Sequence, residues 1–156
     1  FDVISGMGGL FGQFYYHGAY DLKNDEALIL EAKVPEKCGY YSTILTNDLF
    51  ETTDWVNNQS SLNDTQSRVD KDGVLRIVIA ARDPGVPNWL DTAGNATGVV
   101  QGRLTDCTAQ PMPSLRKVAL ADVRKALPRD TPVVSPQERD RQLRDRRAAF
   151  LQRILW

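Results

Sequence analysis

The segment at residues 67–81 constrains the fold more than any other part of this 156-residue chain. It reads Ser-Arg-Val, then Asp-Lys-Asp-Gly, then Val-Leu-Arg-Ile-Val-Ile-Ala-Ala. The Asp-Gly pair ending at Gly73 supplies the positive φ that a tight hairpin turn requires. Apart from Arg76, the outgoing run is apolar on both faces, so it predicts a strand in the middle of a sheet. We expect Leu75, Ile77 and Ile79 to lie inside the core.

Further short strands with turns between them predict a β protein. Gly98 and Gly102, both within one of these segments, indicate close backbone approach or a bulge. The pattern favours a mainly β fold, an antiparallel β-sandwich with a jelly-roll-like sheet pair, followed by two C-terminal helices. Strands are predicted at residues 11–20, 27–34, 39–46 and 97–104, a short helix or irregular connection at 48–55, and a loop at 57–65.

The chemistry of the chain changes after residue 110. We therefore divide it into a β-sandwich domain at 1–110 and, at 111–156, a Pro-bounded linker with a basic amphipathic helical tail. A short helix is predicted where Leu120, Val123 and Leu127 recur, and Pro128 ends it. A second, of roughly 20 residues, begins at Ser135 with the capping-box pattern Ser-Pro-Gln-Glu. Its apolar stripe is expected to dock on a surface: Leu143, Phe150, Leu151, Ile154 and Leu155.

Charge is distributed unevenly between these two parts. Residues 1–110 hold 15 acidic and 8 basic side chains, whereas residues 111–156 hold 5 acidic and 11 basic ones. A basic tail could bind nucleic acid, but an acidic body beside it favours docking within one chain or between subunits. We therefore expect no nucleic-acid partner, and no membrane partner, since no stretch approaches the ~20 apolar residues of a membrane-spanning helix.

Residues with metal or redox chemistry are few. Cys38 and Cys107 fit no metal-binding spacing, and the sequence leaves open whether they are free thiols or a single disulfide. His17 is the single histidine, which excludes a histidine-rich metal site within this chain. The aspartates at 70, 72, 83 and 91 lack EF-hand spacing, and no phosphate-binding glycine loop is present. We expect no metal and no cofactor.

Several residues are candidates for a binding or catalytic site. Trp89 could stack on a ligand while Asn88 offers amide hydrogen bonds, which requires a partly exposed indole; alternatively Trp89 plugs the end of the sandwich. A pocket at the sandwich mouth would be lined by these two with Trp55, Tyr41 and His17.

Two of the residue types could also take part in catalysis. His17 could act as an acid or base, or be a half-buried structural residue. Arg103, like Arg76, could bind an anionic group bidentately, or pair with a neighbouring aspartate. His17 and Arg103 are thus the weak catalytic candidates.

Residues 12–103 carry a family resemblance. The segments GYYSTILTNDLFETTDW, DGVLRIVIA and PNWLDT resemble the bacterial domain of unknown function twelve-fourteen. In that family the last motif commonly reads Asn-Trp-Leu-Pro, whereas Asp91 replaces the proline here. The resemblance implies an antiparallel β-sandwich that follows an uncharacterised sister domain. It implies no activity.

Two functions are compatible with these features. The first is a binding or assembly module of a larger bacterial protein, in which the tail joins a second copy, a missing N-terminal segment or a sister domain. The alternative is an enzyme or enzyme subunit that acts on a small apolar molecule, aromatic or steroid-like. The apolar, Gly-rich opening lacks the basic region of a signal peptide, so we expect a trimmed piece of a cytoplasmic protein.

Overall fold

The computed structural model describes residues 12–153, and the backbone alone of residues 2–3. Its strands form two sheets with the orders β1-β2-β8-β4-β5 and β7-β6-β3-β9. The strands are β1 (Asp2–Val3), β2 (Gln13–Asp21), β3 (Glu26–Lys33), β4 (Cys38–Thr46), β5 (Ser61–Asn63), β6 (Val74–Ala80), β7 (Trp89–Asp91), β8 (Thr97–Cys107) and β9 (Ser114–Ala119).

The two sheets pack face to face, which confirms the predicted sandwich. Leu75, Ile77 and Ile79 of β6 are buried between them with residues of β2, β4 and β8. Pairing is antiparallel except between β6 and β7, which run parallel over three residues. Alternation along β2 and β8 turns every second side chain away from this core, so one face of the five-stranded sheet points outward.

The Asp-Gly turn forms as predicted. Gly73 has φ +75°, and its N–H donates to the Asp70 carbonyl across 2.9 Å. β6 lies between β3 and β7, in the middle of its sheet. The incoming arm is shorter than expected, because a single bridge between Val69 and Leu75 replaces a strand.

Close backbone approach explains the two glycines of β8. A Cβ at Gly102 would overlap the ring of Tyr16, and a Cβ at Gly98 would overlap the Thr46 carbonyl and the Tyr20 ring. Both tyrosines are buried in the core. The interpretation of close approach is confirmed: the tyrosine rings can pack against β8 only because positions 98 and 102 carry no side chain.

Strands β5, β7 and β9 were not predicted. β5 lies inside the segment expected to be a loop, and β9 lies where a linker was expected. β9 pairs with β3 along six residues, so the sandwich continues beyond the expected boundary at residue 110. β5 and β7 are three residues long, and β9 mixes polar and apolar residues on both faces, with Leu115 and Val118 packing against different clusters. None of the three carries the alternation that identifies a strand.

Two helices follow, as expected. A 3-10 turn (Leu120–Asp122) leads into α1 (Val123–Ala126), whose Val123 packs with Leu127 on the outer face of the four-stranded sheet. α2 spans Pro136–Leu151 and begins with the predicted capping box, because the Ser135 hydroxyl accepts from the Glu138 N–H and the Glu138 carboxylate accepts from the Ser135 N–H.

α2 docks on the sandwich within one chain, but the predicted apolar stripe accounts for only part of the contact. Leu151 is 80% exposed, Leu143 and Phe150 are half-buried, and Ile154 and Leu155 lie outside the described residues. Arg139 and Arg146 hydrogen-bond to polar groups of the sandwich that an apolar stripe would leave without partners, and Phe150 of the stripe meets Trp55 edge-on.

Cys38 and Cys107 are paired, which answers the question of free thiols or a disulfide that the sequence left open. They lie opposite each other in the β4·β8 ladder and form a disulfide. The bond joins the two strands whose outward faces form the floor of the candidate site.

Candidate functional site

A cleft of about 380 Å³ lies on the outward face of the five-stranded sheet, beside the C-terminal half of α2. β2, β4, β5 and β8 provide its floor, and α2 with the loop around Trp55 provides its wall. The lining residues are Tyr15, Tyr40, Ser42, Thr43, Ile44, Trp55, Ser61, Leu62, Asn63, Gln66, Gln101, Gly102, Arg103, Arg146 and Arg153.

Arg139 anchors the N-terminal half of α2 and so positions the wall. It is only 4% exposed. Its Nε lies 2.9 Å from a carboxylate oxygen of Asp83, its Nη1 donates to Gln59 across 2.9 Å, and its Nη2 donates to the Val86 carbonyl. The guanidinium also lies over the Trp89 ring, 5.2 Å from its centroid.

Arg146 fixes the helix two turns further along. Its guanidinium donates to the carbonyl of Trp55 across 3.0 Å and to both oxygens of Ser61, at 3.0 Å for the hydroxyl and 2.6 Å for the carbonyl. No carboxylate among the described residues pairs with it, and burial lowers the pKa of its guanidinium. Arg146 thus brings a positive charge into the cleft wall, and no carboxylate among the described residues neutralises that charge.

Arg103 rises from the cleft floor, where its β8 position lies between Tyr15 of β2 and Ser42 of β4. Hydrogen bonding to Tyr15, and to a smaller extent to Tyr40, raises the pKa of its guanidinium. The guanidinium lies 5.2 Å from the centroid of the Tyr40 ring. Its Nε is buried, with no hydrogen-bond partner in the part of the chain that the structure describes.

Trp55 forms the aromatic side of the cleft. Phe150 of α2 meets it edge-on, with ring centroids 5.4 Å apart. Arg153, just past the helix end, lies over the indole at 5.0 Å from its centroid, a cation–π distance. The cleft therefore combines planar aromatic surface with guanidinium groups.

Trp55 and Arg103 are the sequence-predicted candidates that the cleft brings together. Trp89 lies elsewhere and is 6% exposed, with its indole N–H donating to the Ala80 carbonyl across 3.0 Å. The exposure expected of a rim residue is absent, and this placement favours the plug. Asn88 is buried beside Trp89 and its side-chain amide hydrogen-bonds to the backbone of Arg68. It accepts from the Arg68 N–H at 2.8 Å and donates to the Arg68 carbonyl at 2.6 Å.

The other two candidates also lie outside the cleft. Tyr41 points to the inner face of β4, packs against the core and is hydrogen-bonded to Ser67. His17 lies on the outward face of β2, two residues from Tyr15, and its ring meets Phe50 edge-on at 6.0 Å. The residues expected to line a sandwich-mouth pocket are thus not brought together in one place, and among the described residues no histidine lines the cleft.

The two strand arginines differ in how their charge is balanced. Arg76 pairs with Glu31, Asp70 and Asp72, each at 2.8 Å, as the structural interpretation expected. Arg103 contacts tyrosines and, within the described residues, no carboxylate. Of the two, only Arg103 is available to an anion.

Arg146 and Arg153 were missed as site residues, although a signal for them exists. Arg139, Arg146 and Arg153 recur every seven residues, with Leu143 and Phe150 between them. That is the spacing of one helix face. The sequence analysis built its docking stripe from apolar residues alone and so left these arginines out of the face.

Other kinds of site are not seen in residues 12–153. No group of three or more His, Cys, Asp or Glu side chains is placed there to hold a metal ion. Nor does that part of the chain contain a helix with the length and apolar character needed to cross a bilayer.

The sequence matches no family model and no curated protein, but it is similar to several solved structures, among them the following two. An uncharacterised protein from Burkholderia cenocepacia is 33% identical, with a TM-score of 0.71 over 74% of this chain and 32% of that one. The VPA0106 protein of Vibrio parahaemolyticus is 21% identical, with a TM-score of 0.56 over 72% of this chain and 33% of that one, and shows the fold alone. The chain thus resembles uncharacterised bacterial proteins and spans about a third of their length.

Proposed function

We propose that this chain is a ligand-binding module of a longer bacterial protein, and that its ligand is a small molecule held between the outer sheet face and α2. The observation that carries the proposal is the cleft of about 380 Å³. Ligand sites are concave and commonly measure about 300–1,000 Å³. Its walls are fixed by the Arg139 and Arg146 contacts, so the site is formed before a ligand arrives.

The lining supports binding over the alternative of catalysis. Among the described residues, no carboxylate and no histidine lines the cleft. General acid–base chemistry at neutral pH depends most often on such groups. The hydroxyl, amide and guanidinium groups present there can orient a ligand without reacting with it.

Similarity to structures about three times longer supports a place in a larger protein. The domain twelve-fourteen family, with its sister domain, is the family we propose, and assembly with that domain or a second copy is part of the proposal. The cytoplasmic location stays a prediction from the sequence. The Cys38–Cys107 disulfide argues against it, since disulfides persist mainly in oxidising compartments.

A fragment screen followed by NMR tests the binding function. We expect hits to shift signals of the cleft residues, including the Trp55 indole. A Ser42→Trp variant fills the cleft floor and should lose these hits at an unchanged melting temperature, whereas Ser114→Trp, on the exposed strand β9, should keep them. Hits that persist in the Ser42→Trp variant, or a library that shifts no cleft residue, would contradict the proposal.

A further inference from the structure

The charge of the cleft identifies the class of its ligand. Three arginines line it, Arg103, Arg146 and Arg153, and no acidic residue does so among the described residues. The interior arginines elsewhere are neutralised, Arg76 by three carboxylates and Arg139 by Asp83. Arg103 and Arg146 are half-buried, whereas Arg153 is exposed. Half-buried cations without a charged partner are unusual, because removing a charge from water is costly unless it is paired.

We propose that the cleft binds a small organic anion, a carboxylate or similar acidic group attached to an aromatic or other planar apolar body. The inference rests on the binding function proposed above and specifies its ligand. The acidic group supplies the negative charge that Arg103 and Arg146 do not find among the described residues, and it lies within reach of the exposed Arg153. Nothing else in the cleft neutralises them within the described residues.

The three arginines have different roles. Arg146 uses Nη1 and Nη2 on Trp55 and Ser61, so it contributes charge and positions the helix. Arg103 has a buried Nε without a partner among the described residues, and the exposed Arg153 makes, within that same part of the chain, only ring contacts through its guanidinium. Arg103 on the floor and Arg153 on the wall are therefore the groups that donate to the anion. A guanidinium binds such a group with paired, charge-assisted hydrogen bonds.

The aromatic residues account for the body of the ligand. The rings of Tyr15, Tyr40 and Trp55 face the cleft with Ile44 and Leu62. Flat apolar surface of this kind favours stacking of a planar group. A ligand that is anionic at one end and planar at the other satisfies both halves of the lining.

Phenylacetate and phenylacetamide are the probes, because they have nearly the same shape and differ in charge. Binding is followed by the Trp55 indole N–H signal, assigned with a Trp55→Phe variant, since the chain has three tryptophans. We expect phenylacetate to bind about tenfold more tightly or better, as loss of a charged hydrogen bond implies. Added salt should weaken phenylacetate binding only.

Variants of the floor arginine make the test specific. Arg103→Gln should weaken phenylacetate about tenfold and leave phenylacetamide nearly unchanged. Arg103→Lys keeps the charge but not the planar guanidinium, so its affinity for phenylacetate should lie between those of the wild type and Arg103→Gln. Its melting temperature shows whether the variant is folded. Arg141→Gln removes the same charge from an exposed position of α2 and should change neither probe.

Three outcomes overturn the inference. Equal binding of the two probes, or equal loss of both in Arg103→Gln, would show that the cleft takes neutral ligands and would leave the binding function intact. Silence of both probes, while fragments from the screen still bind, would also reject the anion and keep the function. Absence of any binding at the cleft would reject both.

Discussion

Replacing Arg139 by methionine tests how α2 is held to the sandwich. Arg139 is 4% exposed, and methionine keeps much of its apolar length while removing the guanidinium. Asp83, whose side chain is 28% exposed, then loses its partner, and Gln59 loses a donor. Breaking a buried ion pair from one side costs about 3–5 kcal/mol, and the partial exposure of Asp83 places this case near about 3 kcal/mol.

Urea denaturation measures the effect. We expect the midpoint to fall with an unchanged m-value, and the melting temperature to drop by about 6–12 °C, at the 2–4 °C per kcal/mol typical of this chain length. Arg141→Met, at an exposed position of the same helix, should stay within about 0.5 kcal/mol of the wild type.

A double-mutant cycle with Asp83→Asn separates the ion pair from the other contacts of Arg139. The coupling energy should be about 1–3 kcal/mol, as for residues in direct contact. An Arg139→Met protein within about 0.5 kcal/mol of the wild type would refute the reasoning, because the helix would then be held without this residue.

Three further predictions concern the sandwich. Gly102→Ala should destabilise the fold by about 1–3 kcal/mol or more, because the new methyl overlaps the Tyr16 ring; an unchanged melting temperature would contradict this. Reducing the disulfide, which spans 69 residues, should lower stability by up to about 4 kcal/mol, and the unreduced, denatured chain should show no free thiol. Arg76 lowers the pKa of Asp72 to about 2, so the stabilising contribution of Asp72 is present above pH ~4 and is lost as pH falls toward 2. Asp72→Asn should therefore flatten the loss of stability in acid denaturation; an unchanged acid slope would show that the pair does not matter.

The sequence predicts long strands well and short ones poorly. β2, β3, β4, β6 and β8 each carry alternation or a buried run over seven residues or more, and turn residues bound several of them. β5 and β7 are three residues long, and their pairing follows from neighbours that are distant in sequence. β9 mixes polar and apolar residues on both faces, so only its pairing with β3 shows that it is a strand.

The candidate site shows a different limit. Residue chemistry alone selected Trp55 and Arg103, but it also selected Trp89 and Asn88, whose hydrogen bonds are used inside the fold. What brings Trp55 and Arg103 together is the β4·β8 register and the docking of α2. That docking depends on arginines meeting backbone carbonyls, which hydrophobic periodicity does not describe.

A crystal structure of the chain soaked with 4-bromophenylacetate tests the central claim most directly. The anomalous signal of bromine locates the ligand independently of its shape. We predict a bromine peak in the cleft beside Trp55, with the carboxylate within hydrogen-bond distance of the Arg103 guanidinium. A peak in another groove, such as the one between Asp83 and Leu143, with an empty cleft at saturating ligand, would contradict the account.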